Sequence, residues 1–175
     1  MATINGITIK NVKSFSGIEY PVCHECTLYN GTKRIGSFCE DQWGGSGHYS
    51  PSSLYHDLKP IAERFQSGCK ESEYHSVMGD PDIFVSRLLM LYDYQKTYRQ
   101  NAKKGYTTTL FICNSFKVVS FGFRSPVDIA KLPSDIVKYI KKDFPKNDYC
   151  IWQANSEDDF NIIIDSEHIL PSYMY

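Results

Sequence analysis

The 175-residue chain has almost no excess of charge of either sign. Its 19 Lys and Arg residues nearly balance its 20 Asp and Glu residues, which leaves a formal net charge of −1. A general nucleic-acid binder carries a marked basic excess, and a DNA mimic imitates a dense row of phosphates with carboxylates. The composition therefore argues against both classes, and an electrostatic partner must be met by a local patch.

Long apolar runs and targeting signals are also missing. No hydrophobic stretch approaches the roughly 20 residues that a helix needs to cross a bilayer, so we expect no membrane contact. Residues 1–10 lack a basic region followed by an apolar one, which argues against secretion. The six cysteines are too sparse in 175 residues for a disulfide scaffold, so we expect reduced thiols in a cytoplasm.

Catalytic motifs are missing as well, since the chain contains no HExxH, GxSxG or GxxxxGKS/T pattern. His56 beside Asp57 resembles a nuclease fragment only in the loosest sense. We therefore expect no catalytic residues and no cofactor. The alternative is a metal-dependent nuclease built from carboxylates and from the five histidines, His24, His48, His56, His75 and His168.

The segment 22–45, VCHECTLYNGTKRIGSFCEDQWGG, is the most informative part of the chain. Asn30-Gly31 separates two runs that can both be extended, and both residues tolerate a positive φ, so the pattern predicts a hairpin with a type I′ turn. The hairpin leads into the glycine-rich loop 43–47. Pairing about the turn predicts three opposed pairs: Tyr29 with Thr32, Cys26 with Ile35, and Cys23 with Phe38.

Cys23-His24-Glu25-Cys26 has the CxxC spacing of a zinc site, and Cys39 lies on the partner strand. Zinc takes four tetrahedral nitrogen or sulfur ligands. Residues three apart in a strand point to opposite faces of the sheet, so we predict small apolar strand residues and no metal. A small zinc-stabilised binding module is the remaining alternative.

The strongest predicted helix is 81–104. Asp80 is a good N-cap, Pro81 suits the first helical position, and Gly105 suits the end of a helix. The first half is apolar almost all the way round, with Ala102 continuing one face, so it is buried within the chain or covered by a partner. The other predicted elements are helices at 54–65 with a break at Pro60 and at 133–144, a helical turn capped at Ser125, and strands at 7–10, 106–113, 116–123, 149–153 and 160–164.

Strand groups joined by hairpins and segregated from helices predict an α+β fold. We expect a largely antiparallel sheet packed with one long helix and two or three shorter helices. A single domain spans 1–175 in this prediction, with an N-terminal β lobe at 1–50 and a helix-plus-sheet lobe at 79–175.

Two kinds of surface are candidates for contact with a partner. The chain has 13 Tyr, a residue that suits contact surfaces because its ring is apolar and its hydroxyl is polar; Trp43 and Tyr49 flank the glycine loop. The second kind is basic. Two helical faces, if they adjoin, form a patch that contacts an RNA or DNA backbone, and otherwise they are ordinary solvated faces: Lys96, Lys103 and Lys104 on the long helix, and Lys138, Lys141 and Lys142 on the later helix.

The strand 7–13, the hairpin 28–36 and the stretch Asp41-Gln42-Trp43-Gly44-Gly45 resemble small accessory proteins of phages and mobile elements in gut-type bacteria. The resemblance covers residues 1–50 and a helix-Lys-Lys-Gly-strand step at 103–110, and it brings no catalytic residues. Some such proteins are anti-CRISPR inhibitors. The resemblance thus implies a non-enzymatic inhibitor in the cytoplasm of a bacterial host, whose partner is a protein or nucleoprotein effector such as a Cas protein with guide RNA.

Overall fold

The computed structural model describes residues 1–19, 22–67, 79–114, 117–145 and 149–162. Within them the chain forms three α-helices and nine strands in mostly antiparallel sheets, which confirms the predicted α+β class. Of the histidines considered for a nuclease site, His75 and His168 lie outside the described residues, as do Cys69 and Lys146. The elements are β1 (Thr3–Ile4), β2 (Ile7–Phe15), β3 (Cys23–Asn30), β4 (Lys33–Cys39), β5 (His48–Ser50), α1 (Ser53–Ser67), α2 (Pro81–Lys103), β6 (Thr108–Cys113), β7 (Val118–Phe123), a 3-10 helix (Ile129–Lys131), α3 (Ser134–Asp143), β8 (Cys150–Ala154), a 3-10 helix (Glu157–Phe160) and β9 (Asn161–Ile162).

The chain divides into two compact units. The first unit contains residues 1–93 and β9, and the second contains residues 94–160. The division falls inside α2, which contributes its N-terminal half to the first unit and its C-terminal half to the second. The predicted lobes at 1–50 and 79–175 stay a prediction.

The first unit is built on a six-stranded sheet in the order β5-β4-β3-β2-β1-β9. Neighbouring strands are antiparallel except β1 and β9, which run parallel. The rings of Phe65 and Phe84 meet edge to face with their centroids 5.6 Å apart. Each fully buried aliphatic side chain contributes about 1.5–3 kcal/mol through loss of apolar surface from water. The fully buried aliphatic side chains that form the core of the first unit include Ile4, Ile7, Ile9, Leu28, Leu54, Leu58 and Leu88.

The predicted hairpin is present, but its predicted register is wrong. The two loop residues are Gly31 and Thr32, so that Asn30 pairs with Lys33. Asn30 also pairs with Ile7 of β2, which keeps it extended as the last residue of β3. Gly31 therefore takes the positive φ of the turn, at +57°. The same register places Tyr29 opposite Arg34, and a bulge between Leu28 and Tyr29 then shifts it so that Cys26 lies opposite Phe38. Cys23 pairs with Phe15 of β2 instead.

The predicted break at Pro60 is wrong, because α1 runs without interruption from Ser53 to Ser67. Proline removes the hydrogen bond to the carbonyl of the residue four positions earlier, which here is His56. Both His56 and Pro60 are exposed, so water can satisfy the freed carbonyl. The opposite face of the helix is buried through Leu54 and Leu58 and holds the helix in place.

The predicted long helix is confirmed, together with both of its ends. The Asp82 N–H donates to the Asp80 side chain at 2.8 Å, which makes Asp80 the N-cap. At the C-terminus, Gly105 has a φ of +84°, and the Tyr106 N–H reaches the Asn101 carbonyl at 3.2 Å in a Schellman arrangement. The apolar first half is buried within the chain through Phe84, Val85, Leu88, Leu89 and Leu91. Ala102, predicted on the same face, is exposed.

The second unit has a three-stranded antiparallel sheet in the order β7-β6-β8, with a helix over each face. On one face, Leu110 and Ile112 of β6 pack with Ile136 and Ile140 of α3 and with Phe144, which directly follows that helix. On the other face, Tyr94 of α2 contacts Phe111 and Trp152, with ring centroids 4.8 and 5.8 Å away. Alternate residues of β6 therefore face different helices.

The predicted helical turn near Ser125 is present as the 3-10 helix Ile129–Lys131, but its cap is Asp128, whose side chain accepts the Ala130 N–H at 3.0 Å. Among the described residues, none of the helices combines the length and apolarity that a membrane span requires.

Candidate functional site

The connection between β4 and β5, residues 40–47, forms a loop that carboxylates hold in place; we call it the Trp43 loop. Inside it, the Asp41 side chain accepts the Gly45 N–H at 2.8 Å, and the Asp41 carbonyl accepts the Gly44 N–H at 3.3 Å. Asp and Gly favour such local turns, because the carboxylate satisfies backbone donors and glycine adopts a positive φ. At Gly44 that φ is +79°.

The end of the Trp43 loop is tied to the first turn of α2. Asp82 accepts the Gly47 N–H at 2.9 Å with one oxygen and the Tyr49 hydroxyl at 2.7 Å with the other. Gly47 is required because a Cβ atom there would lie 2.1 Å from the Phe38 ring. Burial and the nearby Asp82 carboxylate both raise the pKa of Tyr49, so its hydroxyl stays protonated and donates.

The beginning of the Trp43 loop is fixed as well. The Gln42 carbonyl accepts the N–H groups of Ile18 and Glu19 at 3.0 and 3.1 Å. Glu40 accepts both the backbone N–H and the Nδ1 of His24, at 2.7 and 2.9 Å. The loop is therefore held from β3, from α2 and from the segment before β3.

Three large apolar side chains are exposed around this loop. Trp43 is 62% exposed, Ile18 58% and Val22 52%, and they make up half of the strongly exposed large hydrophobic residues in the described ranges. The Ile18 N–H donates to the carbonyl of Gln42, which precedes Trp43 in the chain. Val22 lines a pocket together with Gly44, which follows Trp43. We call Ile18, Val22 and Trp43 the Trp43 patch.

The pocket beside the Trp43 patch has a volume of about 190 Å³. Its apolar wall includes Cys23 and Phe38, and three carboxylates line the remainder: Glu40, Asp41 and Asp82. None of the described Lys or Arg residues lines it. The pocket therefore has a negative potential, and low-dielectric walls strengthen such a field.

The structure separates the two predicted aromatic anchors. Trp43 is free to contact a partner, whereas Tyr49 is half-buried and packs against Phe38 and Tyr55 with ring centroids 5.1 and 5.5 Å apart. Because the Tyr49 hydroxyl donates a hydrogen bond to Asp82, which also binds the loop, Tyr49 stabilises the conformation of the Trp43 loop. A direct role of either residue in partner binding stays a prediction.

The two groups of lysines are exposed on helices that cover opposite faces of the three-stranded sheet. Lys96, Lys103 and Lys104 lie on or just after α2, and Lys138, Lys141 and Lys142 lie on α3. The basic side of α2 is partly neutralised at Arg99, which pairs with Glu157 at 2.7 Å. These are two separate basic faces, and their contact with a partner stays a prediction.

Two of the three hairpin cysteines, Cys23 and Cys26, are buried, and Cys39 is half-buried. Burial is the main cause that raises the pKa of Cys23 and of Cys39, and it raises that of Cys26 to about 12. Within the part of the chain that the structure describes, no three His, Cys, Asp or Glu side chains are placed to share a metal ion. His56 and Asp57 are both exposed on α1.

The sequence did not identify Ile18, Val22 or Asp82 as parts of the site. Asp82 matches the helix-dipole rule for a first turn, but its bonds to Gly47 and Tyr49 join positions 35 and 33 residues apart. The exposure of Ile18 and Val22 depends on the same tertiary arrangement. Only Trp43, in a glycine-rich loop, carried a local signal.

The second unit contributes no comparable apolar site in the described residues, where Val118 and Ile129 are its strongly exposed large hydrophobic residues. The Trp43 patch and the exposed lysine faces are therefore the candidate contact surfaces of the described residues. The chain matches no protein-family model, no curated protein and no solved structure.

Proposed function

We propose that the protein is a non-catalytic binding protein that holds its partner through the Trp43 patch. The observation that carries this proposal is an exposed Trp on a loop held by its own hydrogen bonds and by Asp82. Trp is among the residues that contribute most to interface energies. A loop that is already ordered loses little conformational entropy on binding, so more of the contact energy becomes affinity.

The pocket beside the patch indicates the chemistry of the partner. Its lining contains the carboxylates of Glu40, Asp41 and Asp82 together with the exposed Val22. A partner segment that combines an apolar side chain with a cationic one, Lys or Arg, matches both features. Complementary charge of this kind contributes to specificity and to the association rate.

The specific form of the proposal is anti-CRISPR inhibition of a Cas nucleoprotein effector in the cytoplasm of a bacterial host. Such effectors hold nucleic acid in positively charged channels, and a basic protein surface is what an acidic pocket would contact. The guide RNA and target strand would offer phosphates to one of the two lysine faces. The resemblance of residues 1–50 to phage accessory proteins supports the same partner class.

A cleavage assay tests the proposal. The purified protein is titrated into target-DNA cleavage by guide-loaded Cas effectors of several types, and Trp43→Ala is compared with the wild type. Removing an anchoring Trp costs about 2 kcal/mol or more of binding energy, which is roughly a 30-fold rise in the concentration for half inhibition. The matched control is Ile129→Ala, a 43% exposed apolar residue of the second unit, which should leave inhibition unchanged.

The assay separately tests the binding site, the anti-CRISPR activity and the nuclease alternative. Inhibition that Trp43→Ala leaves intact would remove the Trp43 patch from the binding site. Failure to inhibit any effector type would reject the anti-CRISPR form. Metal-dependent cleavage of DNA or RNA by the protein alone, lost in His56→Ala, would favour the nuclease alternative.

A further inference from the structure

Two cysteines of the second unit lie directly opposite each other on neighbouring antiparallel strands. Cys113 is the last residue of β6 and Cys150 the first residue of β8, and they are register partners. Their Sγ atoms are 3.0 Å apart, and the Cys150 thiol also reaches the Cys113 carbonyl at 3.5 Å. Opposed residues of an antiparallel pair have Cβ atoms about 4.5–5.5 Å apart, which is near the range that a disulfide spans.

The surroundings favour this pair over the hairpin cysteines. Two rungs away, Phe111 lies opposite Trp152, and their rings stack with centroids 4.9 Å apart, which fixes the register of the two strands. Cys113 is buried, and Cys150 is partly accessible to a small reagent.

None of the three hairpin cysteines described in the first unit faces another cysteine across a strand pair. Cys23 is opposite Phe15, Cys26 opposite Phe38, and Cys39 lies between Glu25 and His48. Direct opposition of two thiols is therefore a property of Cys113 and Cys150 among the described cysteines.

We propose that Cys113 and Cys150 are a covalent modification site that forms a cross-strand disulfide by exchange with a small disulfide, for which oxidised glutathione is the probe. The Cys150 thiolate attacks one sulfur of the probe, which forms a mixed disulfide and releases one glutathione thiolate. The Cys113 thiolate then attacks the Cys150 sulfur, which closes the protein disulfide and releases the second glutathione. Two protein thiols are oxidised, one probe disulfide is reduced to two thiols, and the two protons pass through solvent to the released thiolates.

The contact between the two thiols also affects the rate of disulfide exchange. The hydrogen bond with Cys113, together with burial, raises the pKa of Cys150 above its ordinary value. The thiolate is the attacking species, so exchange at neutral pH is slow. We expect closure over hours, as for a structural disulfide, and no rapid peroxide-sensing response.

Closure would stabilise the second unit. The two cysteines are 37 positions apart in the chain, and the loop between them includes β7 and α3. A disulfide across a loop of this length restricts the unfolded chain, and its effect on a protein of this size is a rise in Tm on the order of 5–10 °C.

The experiment incubates the full-length protein with oxidised glutathione, quenches free thiols with an alkylating reagent, and maps the peptides by mass spectrometry before and after reduction. The expected product is a peptide pair linked through Cys113 and Cys150, with the loss of two hydrogens per molecule. Tm of the oxidised protein should rise and should return to its starting value after reduction.

Cys150→Ser tests whether the pair is specific, and Cys39→Ser is the matched control. In Cys150→Ser the linked peptide and the rise in Tm should both be lost, whereas Cys39→Ser should retain both. A linked pair that involves other cysteines, or wild-type protein that keeps both thiols after prolonged incubation, would overturn the proposal. Peptide mapping of the wild type gives this answer even if a variant does not fold, and it is independent of the binding function proposed above.

Discussion

Tyr49→Phe isolates the contact that ties the Trp43 loop to α2. The Tyr49 hydroxyl donates to Asp82 at 2.7 Å, while the other oxygen of Asp82 accepts the Gly47 N–H. Phenylalanine keeps the ring against Phe38 and Tyr55. The substitution therefore removes one hydrogen bond to a carboxylate and leaves the apolar packing in place.

The expected loss follows from the surroundings of Asp82. A hydrogen bond to a charged group contributes about 1.5–3 kcal/mol, and the half-buried Asp82 can recover part of this from water. We expect Tyr49→Phe to lower the free energy of unfolding by about 1.5 kcal/mol. Asp82→Ala should cost about 3 kcal/mol, because it removes both hydrogen bonds and a favourable charge in the first turn of α2.

Urea unfolding of both single variants and of the double variant measures the coupling between the two residues. Tyr55→Phe is the matched control, because the Tyr55 hydroxyl has no hydrogen-bond partner among the described residues. Its loss should stay within about 0.5 kcal/mol. If Tyr49→Phe were as mild as Tyr55→Phe, or if the losses at Tyr49 and Asp82 were simply additive, the bond would not hold the loop and the argument for a preorganised Trp43 would fail.

Two further predictions concern the sheet and the basic faces. Gly36→Ala should destabilise the protein by about 1–3 kcal/mol, since its Cβ would lie 2.5 Å from both Leu54 and the Ser50 carbonyl. Gly31→Ala is the control, because Gly31 lies in open space with a φ of +57°, and it should cost about 1 kcal/mol. Equal losses of stability for the two variants in thermal or urea unfolding would contradict the steric reason. If a lysine face contacts nucleic acid, reversal of Lys138, Lys141 and Lys142 to Glu, or of Lys96, Lys103 and Lys104 to Glu, should reduce the salt dependence of binding. Because the two groups lie over opposite sheet faces, a duplex contacts one face, and equal effects of both triple variants at two salt concentrations would count against such contact.

The fold was predictable where local chemistry determines it, and not where distant segments compete. Asp80, Pro81 and Gly105 define the ends of α2 through their own backbone preferences, so that helix was predicted within a residue. Asn30 had an equally good local preference for the turn, but its pairing with Ile7 kept it in β3. Pro60 is a local helix breaker that burial of Leu54 and Leu58 on the opposite face of α1 overrides.

The candidate site follows the same division. A Trp in a glycine-rich loop is visible in the sequence, but the reason why the loop has one conformation is not, because Asp82 reaches it from 35 positions away. The lysine faces could be predicted from the sequence, because the exposed positions of a helix follow directly from the helical period. Whether such faces adjoin depends on which side of a sheet each helix covers, and that is a tertiary property.

The two candidate surfaces differ in how each would form a complex. Hydrogen bonds inside the first unit hold the backbone of the loop that carries Trp43. A contact made by the Trp43 ring relies on buried apolar area and changes little with salt. The lysines carry flexible side chains that must be ordered on binding, and their contact with phosphate weakens steeply as salt rises. A complex anchored by Trp43 should therefore survive high salt with its dissociation rate nearly unchanged, whereas the lysine faces should affect mainly the association rate.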